Sequence, residues 1–210
     1  MKFDAALAPM HLTDVPTVAK AAEEMGFDCL WTSETQHNPF LPCTLIAEHT
    51  EKMSMGTAIA VSFARSPADL AYTAWDLAAG SGGRFILGLG TQVKGHIEKR
   101  FGMPWPESPV NKLREQIQVI RAFWNCWQND SKLRFEGEYY KVKLMTPFFN
   151  PGPLPLPPLP SPPLAGGRKT PPVREVRSEQ GRRVSAWPSS TVSPSCPICC
   201  SVPETSVPDV

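Results

Sequence analysis

Apolar and polar positions alternate with two periods along the first 150 residues. "KFDAALA" alternates every second residue and predicts a strand. In "TDVPTVAKAAEEMGF", Val15, Val18, Ala22 and Met25 recur at helical spacing. Asp14 is placed to cap that helix and Gly26 to stop it in a left-handed conformation. "DCLWTSE" is a short apolar run ending in polar residues, as a buried strand does at its carboxyl end. "PCTLIAEHTEK" predicts a shorter helix and "MSMGTAIAVSF" a single strand. "SPADLAYTAWDLAAGSGG" carries a full set of helix signals: Ser66 to cap, Pro67 in the first turn, Asp69 at the positive end, and glycines from Gly80 to Gly83 to stop it. "RFILGLGTQ" predicts a strand with no solvated face. A helix from Ser108-Pro109 follows, with Leu113, Ile117, Ile120, Trp124 and Trp127 as its buried stripe. "LRFEGEYYKVKL" alternates around Glu136-Gly137 and predicts a hairpin.

Strands separated by helices predict βαβ units and a parallel sheet. Ligands of such sheets bind at the carboxyl ends of the strands, whether the sheet is closed or open. Chemistry is therefore expected in "LAPMH", "WTSETQHNPF", "AVSFARSP" and "GLGTQVKGH". Glu34 and His37 can act as acid and base or bind a polar ring; equally, Glu34 can cap a helix and His37 can be a solvated loop residue. Ser62 and Arg65 precede the capped helix, where an arginine can hold an anion or simply pair with Asp69. Gly88 and Gly90 lie inside a strand, which marks close approach of a ligand or of another backbone. They are not a dinucleotide fingerprint, because Val93 stands where its third glycine belongs. Lys94 and His96 follow at the same rim, or merely open the next connection. Trp124 and Trp127 read as core rather than as a stacking platform.

Composition divides the chain in two. All ten Phe and all three Tyr precede residue 151, whereas the last 60 residues hold 15 prolines and no Phe, Tyr, Asn, His or Met. Net charge is +1 overall, and the tail has six Lys/Arg against four Asp/Glu, so neither nucleic acid nor a membrane surface is an expected partner. No apolar run approaches the roughly 20 residues of a membrane span, and no signal peptide is read at the start. Cys29, Cys43 and Cys126 sit in apolar surroundings, as reduced thiols of a cytoplasmic protein do. Cys196, Cys199 and Cys200 lack the second ligand pair that zinc needs, so no metal is expected.

Four segments in order, "GFDCLWTSETQHNPF", "MGTAIAVSFARSP", "SGGRFILGLGTQVKGHIEKRFG" and "LRFEGEYYKV", resemble the bacterial luciferase-like oxidoreductases, in the branch that uses the deazaflavin coenzyme F420. The resemblance covers residues 1–150 and implies an incomplete (β/α)8 TIM barrel, with about four βα units plus a hairpin. It implies hydride transfer between F420 and a small organic substrate, with FMN-dependent monooxygenation as the rival, in a family that is often homodimeric. It places the ring on the third strand, at a cis peptide near Ala60, Val61 or Ser62. Glu34 corresponds to the family's acid after the second strand, and Thr91, Gln92 and the residues to His96 correspond to the fourth-strand loop. Sugar-phosphate dehydrogenases of the family carry His directly after that acid and a second acid in the loop. Here those positions are Thr35 and Val93, so His37 and His96 become the candidates for handling a proton.

Residues 151–210 are expected to be a disordered, non-homologous tail. In "PLPSPPLAGG" the β-formers of a fifth strand are replaced by Ser161, Pro162 and Pro163, and proline is excluded from central strands. A change of reading frame just beyond residue 155 is preferred over a linker or a P-x-x-P interaction tail, the last being the non-enzymatic alternative. Activity of the chain is expected to be impaired, since four strands cannot close a barrel.

Overall fold

The computed structural model describes residues 3–155. The proline-rich segment from residue 156 onward, its P-x-x-P motif and its three cysteines lie outside the described residues.

Four parallel strands form the sheet that positions everything else. Their order is β1 (Asp4–Ala6), β2 (Cys29–Thr32), β3 (Ser54–Thr57) and β5 (Phe85–Ile86), with Leu30 opposite Met55 and Met55 opposite Phe85. Those three side chains are buried, facing the helices. Helices α1 (Val15–Glu24), α2 (Phe40–His49) and α3 (Pro67–Gly80) alternate with the strands as expected. The α/β, part-barrel architecture follows.

Two expected strands are each broken in two. "MSMGTAIAVSF" becomes β3, then β4 (Ala60–Val61), then a 3-10 turn at Ser62–Ala64. "RFILGLGTQ" becomes β5 and β6 (Leu89–Gly90), and β6 pairs with β4 in parallel. The break has a cause at Thr57. Its hydroxyl accepts from Gly88 N at 2.9 Å and donates to Gly88 O at 2.7 Å, taking the place of ladder bonds. Gly88 O also accepts from Ala60 N at 2.9 Å, which restarts the pairing beyond the gap.

Helix details depart from the periodic reading where a neighbour changes which face is covered. Met25 is 71% exposed and Ala19 takes its place on the buried face of α1. Asp14 makes no side-chain cap bond, whereas Ser66 does cap α3, its hydroxyl accepting from Asp69 N at 3.0 Å. A short helix, α4 (Lys94–Lys99), stands where only a polar connection was expected. In α5 (Pro109–Asn129) the buried stripe is shifted by about one position, to Gln116, Val119, Ile120, Phe123, Cys126 and Trp127, leaving Leu113, Ile117 and Trp124 only half-buried. Trp127 is core: it packs on Tyr72 and Trp75 of α3 with ring centroids 4.5 and 5.3 Å apart.

Loops are held by charged side chains acting on backbone. The Glu23 carboxylate accepts from Glu51 N, Lys52 N and Met53 N at 2.7–3.1 Å. The Arg84 guanidinium donates to Ala47 O, Thr50 O and Met53 O at 2.7–2.9 Å, closing the end of α2. Glu115 of α5 accepts from Glu138 N, Tyr139 N and Tyr140 N at 2.6–3.0 Å. That carboxylate explains Gly137 in the hairpin of β7 (Phe135–Glu136) and β8 (Lys141–Val142), because a Cβ there would collide with it. Burial first, and then the nearby Glu115 charge, push the Tyr140 hydroxyl up to about 12. After a 3-10 turn at Pro147–Phe149, Leu154 exchanges two bonds of 3.2 Å with the Gln128 amide of α5.

Two outcomes follow. Burial raises the Glu23 carboxyl, but its three backbone amides and Arg84 outweigh that and hold it below the usual glutamate value. Its contribution is therefore complete above the unfolded-state value and disappears as pH falls through the lower folded value. Urea unfolding of the protein and of Glu23→Gln should show a stability gap at neutral pH that narrows in acid; a gap independent of pH would contradict this. Separately, a Cβ at Gly88 would collide with the Thr57 carbonyl. Gly88→Ala should cost about 1–3 kcal/mol by overpacking in the same assay.

Candidate active site

The carboxyl ends of the strands bring together the segment after β2, the segment from β4 to Arg65 and the loop after β6. Glu34 joins the first two. Its backbone N–H donates to Ile59 O at 3.3 Å. Its carboxylate accepts from Val61 N at 2.6 Å and takes both ends of Arg65, at 2.7 and 3.0 Å. Arg65 also donates to Val61 O at 3.0 Å and lies over the Phe40 ring, 5.3 Å from its centroid. Side-chain exposure is only 6% for Glu34 and 14% for Arg65, so the pair is a desolvated, bidentate one. Arg65 therefore pairs with Glu34 and not with Asp69, and its guanidinium is spent on protein groups rather than turned to an anion.

Ser62 is fully buried, and its hydroxyl donates to Gln116 Oε1 at 2.5 Å. The Gln116 amide returns bonds of 3.1 Å to Ser62 O and to Arg65 O. Ala60 and Val61 are fully buried too, and their N–H groups are engaged by Gly88 O and Glu34. What this segment turns to solvent is the exposed Ala58 and the half-buried Ile59. The non-proline cis peptide lies between those two residues, two positions before Ala60 and earlier than the expected window of Ala60 to Ser62.

Gly88 and Gly90 are close-approach positions, and protein atoms fill both. A Cβ at Gly90 would stand 2.7 Å from Ile59 Cδ1, and at Gly88 it would meet the Thr57 carbonyl. Of the two meanings open for these glycines, approach of the neighbouring strand is the one observed. Thr91 and Gln92 are half-buried, and Gln92 adopts a left-handed φ of 62° while its Oε1 accepts from Val93 N at 3.0 Å. That local bond compensates a conformation uncommon outside glycine. His96 is exposed on α4. His37 is exposed as well, but it lines a small cleft with Met10, Thr32, Ser33 and Asn38. The cleft lies between the β1 and β2 ends, one of whose walls Arg100 helps fix by donating to Thr35 O at 3.0 Å.

No group of three or more metal-ligating side chains occurs among the described residues. Cys43, beside Thr32, is fully buried, and that burial pushes its thiol up to about 11. No helix among the described residues is long and apolar enough to cross a membrane. The residues that sequence reasoning missed are Gln116 and Glu115. The available signal was a polar side chain falling on the apolar arc of α5, which a stripe drawn one position off conceals.

The family model described as luciferase-like monooxygenase matches residues 2–193. The chain belongs to that family. An uncharacterized protein of Mycobacterium tuberculosis is 50% identical over 157 residues, covering 75% of this chain and 46% of its own length. The chain thus spans about half the length of the curated relatives it matches. The coenzyme F420-dependent tetrahydromethanopterin reductase of Methanopyrus kandleri is similar in structure, with a TM-score of 0.57 at 27% identity over 67% of this chain and 44% of that one. The FMN complex of the oxygenating constituent of 3,6-diketocamphane monooxygenase from Pseudomonas putida gives 0.59 at 18% identity over 70% and 45%, a likeness of fold alone. Luciferase-like folds of F420-dependent oxidoreductases and flavin monooxygenases are therefore the setting of this rim.

The buried ion pair carries a measurable consequence. Glu34→Gln leaves the Arg65 charge buried with half its partner, and removing one member of such a pair costs about 3–5 kcal/mol. The double variant Glu34→Gln, Arg65→Met should lose less than the single one. Urea unfolding midpoints check both; a loss under about 1 kcal/mol for the single variant would mean that the pair behaves as a solvated surface bridge.

Proposed function

We propose that the chain carries the ring-binding rim of an F420-dependent oxidoreductase that transfers hydride between the deazaflavin and a small organic substrate. The observation that carries this reading is the surface formed by Ala58 and Ile59, held from behind by Glu34 and Arg65 and flanked by the His37 cleft. Ala58 and Ile59 are apolar, and the pair behind them carries no net charge, because Glu34 and Arg65 neutralise each other. Such a surface suits the face of a deazaflavin ring, which supplies a two-electron hydride donor or acceptor when bound. Residue roles differ from the simplest assignment. Ala60, Val61 and Ser62 support the ring segment through their backbone, and Gly88, Gly90, Thr91 and Gln92 shape the edge beside it. Glu34, with both oxygens occupied, acts as a clamp; His37 is the group placed to exchange a proton with a substrate in the cleft. His96 does not line that cleft.

F420 is preferred to FMN because the F420-dependent structure is the more similar in sequence. The substrate is a small organic molecule.

Fluorescence titration with F420 and with FMN tests the reading. F420 should bind at least about tenfold more tightly than FMN, a difference of ~1.4 kcal/mol. Tighter FMN binding would establish the monooxygenase alternative instead, and binding of neither ring would end the proposal.

A further inference from the structure

Gln116 sits on α5, outside every segment that the strand ends bring to the rim, yet all its side-chain bonds go to the rim. It and Ser62 are the two buried polar residues with 0% exposure among the described residues. Three bonds join them: Ser62 Oγ donates to Gln116 Oε1 at 2.5 Å, and Gln116 Nε2 donates to Ser62 O and Arg65 O at 3.1 Å each. Ser62 O already accepts from Arg65 N at 3.1 Å, closing the 3-10 turn, so Gln116 adds a second donor there and supplies Arg65 O, at the point where β4 ends and α3 has not begun. A primary amide is suited to the task because it accepts at one atom and donates twice at the other.

We infer that Gln116 is a positioning residue: it fixes the backbone of residues 62–65, and through it the Arg65 guanidinium that holds Glu34 and Val61. The sequence of contacts is continuous. Gln116 sets Ser62 O and Arg65 O; Arg65 grips both Glu34 oxygens and Val61 O; Glu34 grips Val61 N and, by its own N–H, Ile59 O. Gln116, Ser62 and Val61 are buried, and the Arg65 and Glu34 side chains are only 14% and 6% exposed, so water is a poor substitute when one bond is lost. The adjacent residue, Glu115, serves a different loop by holding residues 138–140. Neighbouring positions on one helix thus govern the rim and the hairpin separately, which makes the hairpin an internal control.

The consequence for ligand binding rests on the proposed ring site at Ala58 and Ile59; the consequence for local order does not. Gln116→Met keeps length and bulk and removes all three bonds. Ser62→Ala removes only one and is the milder variant should the first fold poorly. Ile120→Val, on the same helix and buried but making no side-chain hydrogen bond to the rim, serves as the control for general loosening. In amide hydrogen exchange read by mass spectrometry, Gln116→Met should accelerate exchange of peptides spanning residues 58–66 by about tenfold or more, leaving 135–142 unchanged. Ser62→Ala should do so to a lesser degree, and Ile120→Val should not do so selectively. In the F420 titration, Gln116→Met should weaken binding by about tenfold while Ile120→Val leaves it unaltered. Exchange that rises equally throughout the protein, or no more in 58–66 than in the control, would overturn the inference. So would local acceleration with unchanged ring affinity. If the parent protein binds no ring, the functional proposal fails and the exchange experiment alone decides the role of Gln116.

Discussion

The rim depends on how one interrupted stretch of backbone satisfies its hydrogen bonds. Where β3 stops at Thr57, the parallel ladder no longer serves the chain until Ala60, and it stops again after Val61. Buried amides and carbonyls left without partners would each cost about 1–3 kcal/mol, so every group in this stretch has to find a side chain or a displaced carbonyl. Thr57 and Gly88 supply the first repair, Glu34 and Arg65 the second, and Gln116 the third. A backbone this irregular persists at the carboxyl ends of the strands because side chains from separate elements replace the regular sheet behind it.

The same device recurs away from the rim. Glu23, Glu115 and Arg84 each gather several backbone groups of a loop, and each does so across a long sequence separation. These residues explain how short strands of two to four residues persist in fixed places. Strand pairing alone would be weak at that length, and the apolar contact of α3 with α5 fixes the helices but not the loops between them. Charged groups thus do the locating, while Trp127, Trp75 and Tyr72 do the packing.

The elements were legible in the sequence because they rest on local signals. Ser66 with Pro67 announced α3 through chemistry confined to one helical turn, and the structure has that cap. The rim was legible only in outline. Glu34, Ser62 and Arg65 were singled out, but their partners are 31, 54 and 31 residues away, and no local pattern encodes such pairings. Gly88 and Gly90 were recognised as places of close approach; which body approaches is a tertiary fact, and it proved to be the neighbouring strand. Gln116 was missed for a physical reason. A stripe is drawn through apolar residues, and a buried amide satisfied by backbone looks, in sequence, like a solvated one.

The pairing of Glu34 with Arg65 also constrains what chemistry the rim can carry. The Glu34 carboxylate accepts three hydrogen bonds, and both its oxygens are taken by Val61 N and the Arg65 guanidinium in a largely buried site. A group so committed acts first of all as a clamp on the neighbouring backbone. In the function proposed above, proton exchange is assigned instead to His37, which is exposed and lines the cleft. That proposal divides acid–base work and the holding of the ring segment between two residues three positions apart, one largely buried and the other exposed.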